Sequence, residues 1–413
     1  MMEKKVMYIV VVALVISAIC NDRVQASSDL SPHPYPNPRY ASLVDHAHNL
    51  FVDPEKRLIP LIQKLKRIKE GGDEVVSIVH IGDSHVQAGF IDEWLRHYFQ
   101  SDFGDAGAGL VVPLKLIRTN QPLHYTITSP NRWSGSTCLK NEQEHAVGLS
   151  AMSISTPDPY ITFNITATQP FSMIRAFHHP SAPQLKASFE LMDPSVLWQD
   201  TIPAVTTIPL NRSVTDVTLT ASATEDQNQH TYYGFSLETG HPGVLVHAIG
   251  INGAAFAHYN NHPHILSQIE ALHPDLVVVA LGTNDTFGNN YVASMVHSQI
   301  ERFTESFTAV QPDVPMLFVT PMESCRSRVV KRTRTYTVNP NIVTTGNLII
   351  KTAQESSMPY WNLYKAAGGA GSNKRWTDKG LMGKDRLHLK AEGYALQADM
   401  FYEAFVTYYN SSL

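Results

Sequence analysis

A serine directly follows one of the most apolar stretches of the sequence. Val75–Ile81 (VVSIVHI) predicts a buried β-strand, and the polar cluster Gly-Asp-Ser-His, which contains Ser84, comes immediately after it. A serine hydroxyl is a poor nucleophile unless a base removes its proton. His388 is of the residue type that could act as that base, and Asp385, three residues before it, could orient its ring. Taken alone, each of these is an ordinary turn or capping residue.

Two further polar clusters follow apolar stretches later in the chain. Gly253 lies in GINGA after a predicted strand at Gly243–Ile251, and Asn284 lies in GTND after one at Asp275–Gly282. Ligand sites in parallel α/β sheets lie beyond the carboxyl ends of the strands. The sequence therefore predicts that these two residues and Ser84 meet at one edge of a sheet.

The elements that would position these residues alternate between strands and helices. The segments VVSIVHI, GVLVHAIGI, DLVVVALG, PMLFVT and PYWNLY are apolar throughout, which is typical of a parallel sheet covered on both faces. Helices are predicted at about 54–69, 90–100, 265–272, 292–310, 343–355 and 390–408. Five strands with the first one central would form a doubly wound α/β domain.

The middle of the chain has a different pattern. Between residues 118 and 240, helical periodicity gives way to short alternating segments separated by turn residues. This pattern predicts an all-β sandwich inserted into the α/β domain. The predicted organisation is a signal peptide at residues 1–26, an α/β domain built from 27–117 and 241–413, and the insert at 118–240.

The N-terminus has the pattern of an export signal. Two lysines precede an apolar run at Val6–Cys20, and Val24–Ala26 offers a small-residue cleavage site. The run of about fifteen residues is short for a membrane span, which needs about twenty. A lipid-modified Cys20 is disfavoured because the large Ile19 precedes it. We expect an exported, soluble mature chain with no integral membrane segment.

Composition fits a globular protein. The 413 residues are 43% hydrophobic and 17% charged, enough for one large domain or two to three smaller ones. The formal net charge of −5, without a long basic block, argues against nucleic acid as the main partner. Export would leave Cys138 and Cys325, which could form a disulfide or remain two buried thiols. The sequence makes no prediction of oligomeric state.

Three other clusters could bind ligands but have commoner structural explanations. The basic sequence Lys331–Thr335 fits a solvated loop better than a site for an anionic polymer. The histidines His258, His262 and His264 lack a nearby acidic or cysteine partner, so a polar helix entry is favoured over a metal site. Aromatic residues of the insert fit a sandwich core better than a sugar-stacking surface: Trp133, Tyr160, Trp198, Tyr232 and Tyr233.

The ordered clusters resemble the four sequence blocks of the SGNH, or GDSL-type, hydrolases. The matching residues are Ser84 in GDSH, Gly253 in GINGA, Asn284 in GTND and His388 in DRLH, with the acid Asp385 three residues before the histidine. The resemblance covers residues 70–115 and 241–405. The long insertion between the first two blocks is similar to that of bacterial peptidoglycan O-acetylesterases, in which it is a carbohydrate-binding-like module. The resemblance implies a flavodoxin-like, three-layer α/β/α domain with an inserted β-sandwich.

The resemblance also implies a serine esterase that needs no metal or organic cofactor. Ser84 would be the nucleophile, His388 the base and Asp385 its orienting acid. The N–H groups of Ser84 and Gly253 and the side-chain amide of Asn284 would form an oxyanion hole. The implied substrate is an acetylated polysaccharide, with peptidoglycan favoured by the insertion and xylan as an alternative. The sequence also leaves open an O-acetyltransferase with the same triad and a glycan-binding protein that uses only its insert.

Overall fold

The computed structural model describes residues 29–33, 38–142, 144–189, 195–197, 203–288 and 290–412. The predicted signal peptide at residues 1–26 and Trp198 lie outside the described residues. The α-helices are α1 Ile59–Lys69, α2 Ser84–Gln87, α3 Phe90–Phe103, α4 Phe256–Asn260, α5 His264–Gln268, α6 Ala293–Val310, α7 Asn341–Glu355, α8 Leu363–Ala366, α9 Ser372–Asp378 and α10 Ala391–Ser411. Short 3₁₀ turns lie at Pro38–Leu43, Leu114–Ile117, Ile269–Leu272 and Asn284–Thr286.

The strands fall into three sheets. They are β1 Phe51–Val52, β2 Val75–Gly82, β3 Gly107–Val111, β4 Tyr125–Thr128, β5 Ser134–Thr137, β6 Met152–Thr156, β7 Tyr160–His178, β8 Lys186–Ala187, β9 Ser195–Leu197, β10 Ala204–Ser222, β11 His230–Glu238, β12 Gly243–Gly250, β13 Leu276–Ala280, β14 Met316–Val319, β15 Cys325–Val330, β16 Thr333–Val338 and β17 Tyr360–Trp361.

The first sheet has the order β12-β2-β13-β14-β17, with β1 on its outer edge. The first five strands are parallel, and β1 pairs antiparallel with β17. Numbered along the chain, the parallel strands have the order 2-1-3-4-5 of flavodoxin-like folds. The predicted doubly wound α/β fold is thus confirmed, and the short edge strand β1 is an addition to it.

Alternating side chains of β2 point into two different cores. Val76 and Ile78 pack in a cluster with residues of α1, α3 and α10, whereas Val79 and Ile81 join a cluster with residues of α6 and α7. This is the period-two alternation of a strand buried on both faces. It explains why the strand is apolar throughout, and it places helices on both faces of the sheet.

Two predicted elements differ from the structure at their ends. The first helix begins at Ile59 instead of about residue 54, because the Asp53 carboxylate accepts the N–H groups of Arg57 and Leu58 and holds a turn before it. The last strand ends at Trp361, because the Asn362 side chain caps the short helix α8 that follows. In both places, hydrogen bonds from a side chain to nearby backbone groups favour a turn or cap over the helix or strand that the apolar pattern predicts.

The second sheet is antiparallel and contains nine strands, β3 to β11. Segments that predict separate strands form the two continuous 19-residue strands β7 and β10. Their pairing shifts register between Pro209 and Asp216, opposite the region of Pro170. The prolines, which cannot donate to the ladder, lie beside irregularities where the strands bend. β3 lies on the N-terminal side of the predicted insert boundary at residue 118, and the boundary itself stays a prediction.

Most of the described aromatic residues that the sequence offered as sugar-stacking candidates lie in the core of this second sheet. Tyr232 and Tyr233 are buried, and Trp133 stacks on Phe163 at 4.9 Å between ring centroids. Tyr160 is the exception, with 53% of its surface exposed. The structural interpretation therefore holds for three of the four described candidates.

Both described cysteines are free, buried thiols. Cys138 lies in the core of the second sheet, where burial raises its pKa to about 12. The Cys325 thiol lies 3.2 Å from Asn373 Oδ1. Of the two possibilities that the sequence left open, the structure has the unpaired thiols. Within the described residues, no helix combines the length and apolarity that a membrane crossing requires.

A buried carboxyl in α10 makes stability depend on pH. Asp399 Oδ1 accepts a hydrogen bond from Tyr98, and no group in the described ranges bonds its Oδ2. Burial raises the pKa of Asp399 from 3.8 to about 7. Below pH 4 the carboxyl is protonated in both the folded and the unfolded protein, and above pH 7 it is ionised in both. Between these values the unfolded protein releases the proton first, so the free energy of unfolding falls as the pH rises.

We therefore expect Asp399→Asn to stabilise the protein more at pH 8 than at pH 5, by a difference on the order of 1 kcal/mol. Thermal unfolding of both proteins at the two pH values measures this difference. A gain in Tm that is the same at pH 5 and pH 8 would contradict the assignment to this carboxyl.

Candidate active site

The carboxyl ends of three strands stop level with one another. β2 lies between β12 and β13, and its last residue, Gly82, pairs with Gly250 on one side and Ala280 on the other. The segments that carry Ser84, Gly253 and Asn284 leave the sheet directly after these residues. As the sequence predicts, the three residues lie together, in one cleft that is also lined by His388.

Ser84 begins helix α2, only two residues beyond the end of β2. The Asp83 carboxylate caps this helix by accepting the N–H of His85 at 2.9 Å. A Cβ on Gly82 would lie 2.3 Å from a methyl of Val86, and one on Gly250 would lie 2.1 Å from the backbone nitrogen of Gln87. Glycine at both strand ends thus lets α2 pack against the sheet and fixes Ser84 at the cleft.

His388 and Asp385 lie on one loop that faces Ser84. Asp385 Oδ1 accepts the N–H groups of Leu387 and His388 at 3.0 and 3.1 Å, which fixes the carboxylate within the loop. Its Oδ2 is 2.7 Å from His388 Nδ1. Burial alone would raise the pKa of Asp385, but the hydrogen bonds from the His388 ring and from the two N–H groups outweigh it, and the pKa is lowered. The carboxylate therefore stays ionised under mildly acidic conditions.

A continuous hydrogen-bonded chain links the three side chains. His388 Nε2 lies 2.8 Å from Ser84 Oγ, on the opposite side of the ring from Asp385. A carboxylate on Nδ1 favours the tautomer with its proton there, which leaves Nε2 free to accept the serine proton. The arrangement can increase the nucleophilicity of the Ser84 hydroxyl.

Two backbone N–H groups could stabilise negative charge in the cleft. In the described part of the chain, neither the Ser84 nor the Gly253 N–H has a hydrogen-bond acceptor. Gly253 adopts φ +85°, a conformation that favours glycine, and apart from its chain neighbours no described residue has an atom within 4 Å of where its Cβ would be. Both groups border the open cleft.

The side-chain amide of Asn284 lies in the same cleft, but unlike the two backbone groups it already has hydrogen-bond acceptors. Its Nδ2 donates to Asp83 Oδ2 and to the Ala254 carbonyl, both at 2.9 Å. Both N–H bonds of the amide are therefore used within the protein. Asn284 ties the serine segment to the Gly253 segment, and it would have to release one of these partners to reach a substrate oxygen.

Two acids, one buried and one half-buried, support these loops. Burial raises the pKa of Asp83, which bonds both His85 and Asn284. Burial also raises the pKa of Asp285 to about 7, and its Oδ1 accepts the N–H of Phe256 at the start of α4. Asp285 thus helps to cap this helix from the neighbouring segment.

Gln87 is the main connecting residue of the cleft. Its Oε1 accepts the Asn252 N–H at 2.7 Å, and its Nε2 donates to Thr119 Oγ1 and to both oxygens of Asn120 at 2.9 Å. Since Asn120 and Asn252 both line the cleft, Gln87 links the serine segment to two of its walls.

Tyr394, Phe90 and Leu387 also line the cleft, and no sequence pattern singled them out. The Tyr394 hydroxyl lies 3.0 Å from His85 Nδ1, and its ring stacks on Phe90 at a centroid distance of 5.8 Å. Burial lowers the pKa of His85, so this ring is neutral beside His388. These residues form one wall of the site.

The three histidines after the Gly253 segment bind protein groups. His258 Nδ1 accepts the Ala255 N–H, and the Nε2 atoms of His262 and His264 lie 2.9 and 2.8 Å from backbone carbonyls. These contacts agree with the structural interpretation of this cluster. In the described ranges, the residues close enough to share a metal ion are His297, Glu301 and Glu355, which are not cleft residues.

Residues 213–396 match the model of the GDSL-like Lipase/Acylhydrolase family. The matched range includes Gly253, Asn284, Asp385 and His388, whereas Ser84 precedes it. This part of the chain is therefore similar to the GDSL-like acylhydrolases. No curated protein matches the sequence.

Several solved structures match this chain. A peptidoglycan O-acetylesterase matches with a TM-score of 0.74 at 21% identity, over 87% of this chain and 99% of that chain. An acetyl xylan esterase matches with a TM-score of 0.31 at 19% identity, over 40% of this chain and 81% of that one. A GDSL-like lipase from Bacteroides thetaiotaomicron matches with a TM-score of 0.29 at 18% identity, over 41% of this chain and 77% of that one. The first match extends across both large sheets, so the chain has the SGNH hydrolase fold with an additional β-region.

Proposed function

We propose that this chain is an exported serine esterase that removes O-acetyl groups from a polysaccharide, with peptidoglycan as the preferred substrate. The observation that carries the proposal is the hydrogen-bonded chain of Ser84, His388 and Asp385 at an open cleft. The peptidoglycan O-acetylesterase whose fold this chain shares supports the choice of polymer. Peptidoglycan lies outside the cytoplasm, which agrees with the export signal that the N-terminal sequence predicts.

The reaction would proceed through an acyl-enzyme. Ser84 Oγ attacks the ester carbonyl while His388 Nε2 takes its proton, and the imidazolium is stabilised by Asp385. The tetrahedral intermediate then collapses, the C–O bond to the sugar breaks, and His388 donates its proton to the departing sugar hydroxyl. Water, deprotonated by His388, attacks the acetyl-Ser84 ester and releases acetate and free Ser84. No further reactant is needed.

The N–H groups of Ser84 and Gly253 would bind the oxyanion of each intermediate, and Asn284 would contribute its amide as a third donor. The two backbone groups are unoccupied within the described structure and border the cleft. Asn284 can join them by exchanging its bond to the Ala254 carbonyl or Asp83 for one to the developing charge. A negative oxygen is a stronger acceptor than a neutral carbonyl, which favours the exchange in the transition state.

We expect Asn284→Ala to lower kcat by about 10²- to 10³-fold, the typical cost of losing one oxyanion donor. Steady-state hydrolysis of 4-nitrophenyl acetate measures the change, and KM should change much less than kcat because the donor acts mainly in the transition state. Asn228→Ala, at an exposed asparagine of the insert, is the matched control. A variant that loses only thermal stability and keeps its kcat would show that Asn284 merely ties the two loops together.

The proposed function is tested by acetate release from O-acetylated peptidoglycan and acetylated xylan in parallel, in buffer without an added acceptor. We expect release from both, with the higher kcat/KM on peptidoglycan. Release without an acceptor would exclude an obligatory acetyltransferase. If neither polymer nor a small acetyl ester is cleaved by the folded protein, the esterase assignment is wrong.

A further inference from the structure

A hairpin of β15 and β16 is anchored to both loops of the cleft. The two strands pair without interruption from Cys325 opposite Val338 to the turn. Arg326 Nη2 donates to the Thr286 carbonyl at 2.6 Å, two residues from Asn284. The Tyr336 hydroxyl donates to the Lys384 carbonyl, next to Asp385. The base of the hairpin is therefore held at the rim of the cleft.

The rest of the hairpin is strongly cationic. Arg328, Lys331, Arg332 and Arg334 are all exposed, and residues 325–338 include no acidic residue. Within the part of the chain that the structure describes, none of these four side chains takes part in an ion pair. The chain as a whole carries a formal charge of −5, so this surface has the opposite sign to the protein's net charge.

The turn at the tip is not explained by hairpin stability. Lys331 and Arg332 form the two-residue connection, with φ values of +48° and +67°. Such turns favour Asn-Gly, because at positive φ the Cβ of most residues comes too close to the backbone, whereas Gly and Asn adopt this conformation routinely. Two cations thus occupy positions at which other residues would make a more stable turn. Strain of this kind is found where a side chain has a function.

We propose that the hairpin binds carboxylate groups of the polymer whose ester is held at Ser84. Six residues per strand extend about 20 Å, so the cations contact parts of the polymer outside the cleft and not the ester itself. Exposed charges of one sign speed association with an oppositely charged partner and raise its local concentration.

This inference rests on the proposed function and narrows the substrate class to acetylated glycans that carry acidic groups. The peptide stems of peptidoglycan carry free carboxylates, whereas an unsubstituted xylan backbone is neutral. The hairpin would therefore give the enzyme a preference for the charged polymer, while the triad would act on either ester.

The test replaces the tip with the turn sequence that hairpins favour. Lys331→Asn with Arg332→Gly removes two charges and relieves the positive-φ strain, so the hairpin should stay folded. We expect the ratio of kcat/KM on O-acetylated peptidoglycan to that on 4-nitrophenyl acetate to fall about tenfold at low ionic strength, and the effect to shrink as salt is added. Lys69→Gln with Arg302→Gln, which removes two exposed helical charges elsewhere, is the matched control. An unchanged ratio, or an equal fall in the control, would overturn the proposal.

A binding measurement tests the role of the hairpin independently of catalysis. The Ser84→Ala protein, with and without the tip substitutions, is sedimented with sacculi that lack teichoic acid, either untreated or with their carboxylates amidated. We expect the native tip to bind untreated sacculi about tenfold more tightly than the substituted tip does at low salt, and amidation to abolish the difference. Equal binding by both proteins would overturn the role of the hairpin even if acetate release is observed. If the native tip is preferred in this assay but the protein that retains Ser84 releases no acetate from the same polymer, the hairpin is supported and the esterase is refuted.

Discussion

Replacement of Ser84 with alanine is expected to reduce acetate release by about 10⁴- to 10⁶-fold, the range observed when a triad nucleophile is removed. The reason is geometric: Ser84 Oγ is the atom that His388 Nε2 contacts at 2.8 Å, and the backbone donors of Ser84 and Gly253 border the same cleft. The substitution removes the atom that forms the acyl-enzyme and leaves those donors in place, so a small residual rate should remain.

The measurement is acetate release from O-acetylated peptidoglycan together with thermal unfolding of each protein. Ser84 is half-buried and its hydroxyl contacts His388, so the variant should keep the wild-type Tm within a few degrees. Ser267→Ala is the matched control, since the Ser267 hydroxyl bonds the His264 carbonyl of its own helical turn. A Ser84→Ala protein that retains more than a few per cent of the wild-type rate would rule out this serine as the nucleophile.

The parallel sheet and the place of the cleft could be predicted because both depend on local patterns. A continuous apolar run followed by small polar residues indicates the carboxyl end of a buried strand, whatever its partners are. Level strand ends then follow from the parallel pairing, which sets Gly82 opposite Gly250 and Ala280. In the doubly wound order the first strand is a neighbour of the second and third, so the residues that follow these three strands lie together.

The partners of Asn284 could not be predicted in this way. Whether its amide faces the cleft or binds Asp83 and Ala254 depends on how two loops, 201 and 30 residues away in sequence, pack beside it. The links from Gln87 to Asn120 and Asn252 have the same origin. Gln87 is an ordinary polar residue of a short helix until the fold brings these segments together.

The antiparallel strands show another limit of local patterns. Pro170 predicts a break between strands, yet β7 continues past it. Long antiparallel pairing tolerates a proline at a bulge, and only the partner strand determines that the bulge is there. The basic segment at 331–335 is similar: its hairpin is defined by the pairing of Cys325 with Val338 and by contacts to distant loops, not by a recognisable turn sequence.

Asp385→Asn is expected to lower kcat by about 10³- to 10⁴-fold while keeping the loop intact. The carbonyl oxygen of the new asparagine can still accept the Leu387 and His388 N–H groups, which Asp385 Oδ1 accepts at 3.0 and 3.1 Å. The amide nitrogen would then take the place of Asp385 Oδ2, 2.7 Å from His388 Nδ1, and would donate to that atom. The ring proton would be forced onto Nε2, where it blocks acceptance of the Ser84 proton.

The loss should therefore appear in kcat, with Tm and binding of the polymer little changed. Hydrolysis of 4-nitrophenyl acetate and co-sedimentation with sacculi measure the two effects separately. Asp378→Asn, at an exposed aspartate that pairs with Lys374, is the matched control. If Asp385→Asn lost activity only through unfolding, the carboxylate would have a structural role in the loop. If kcat fell while the fold and polymer binding were kept, the loss would be assigned to the changed tautomer of His388, because aspartate and asparagine have the same shape.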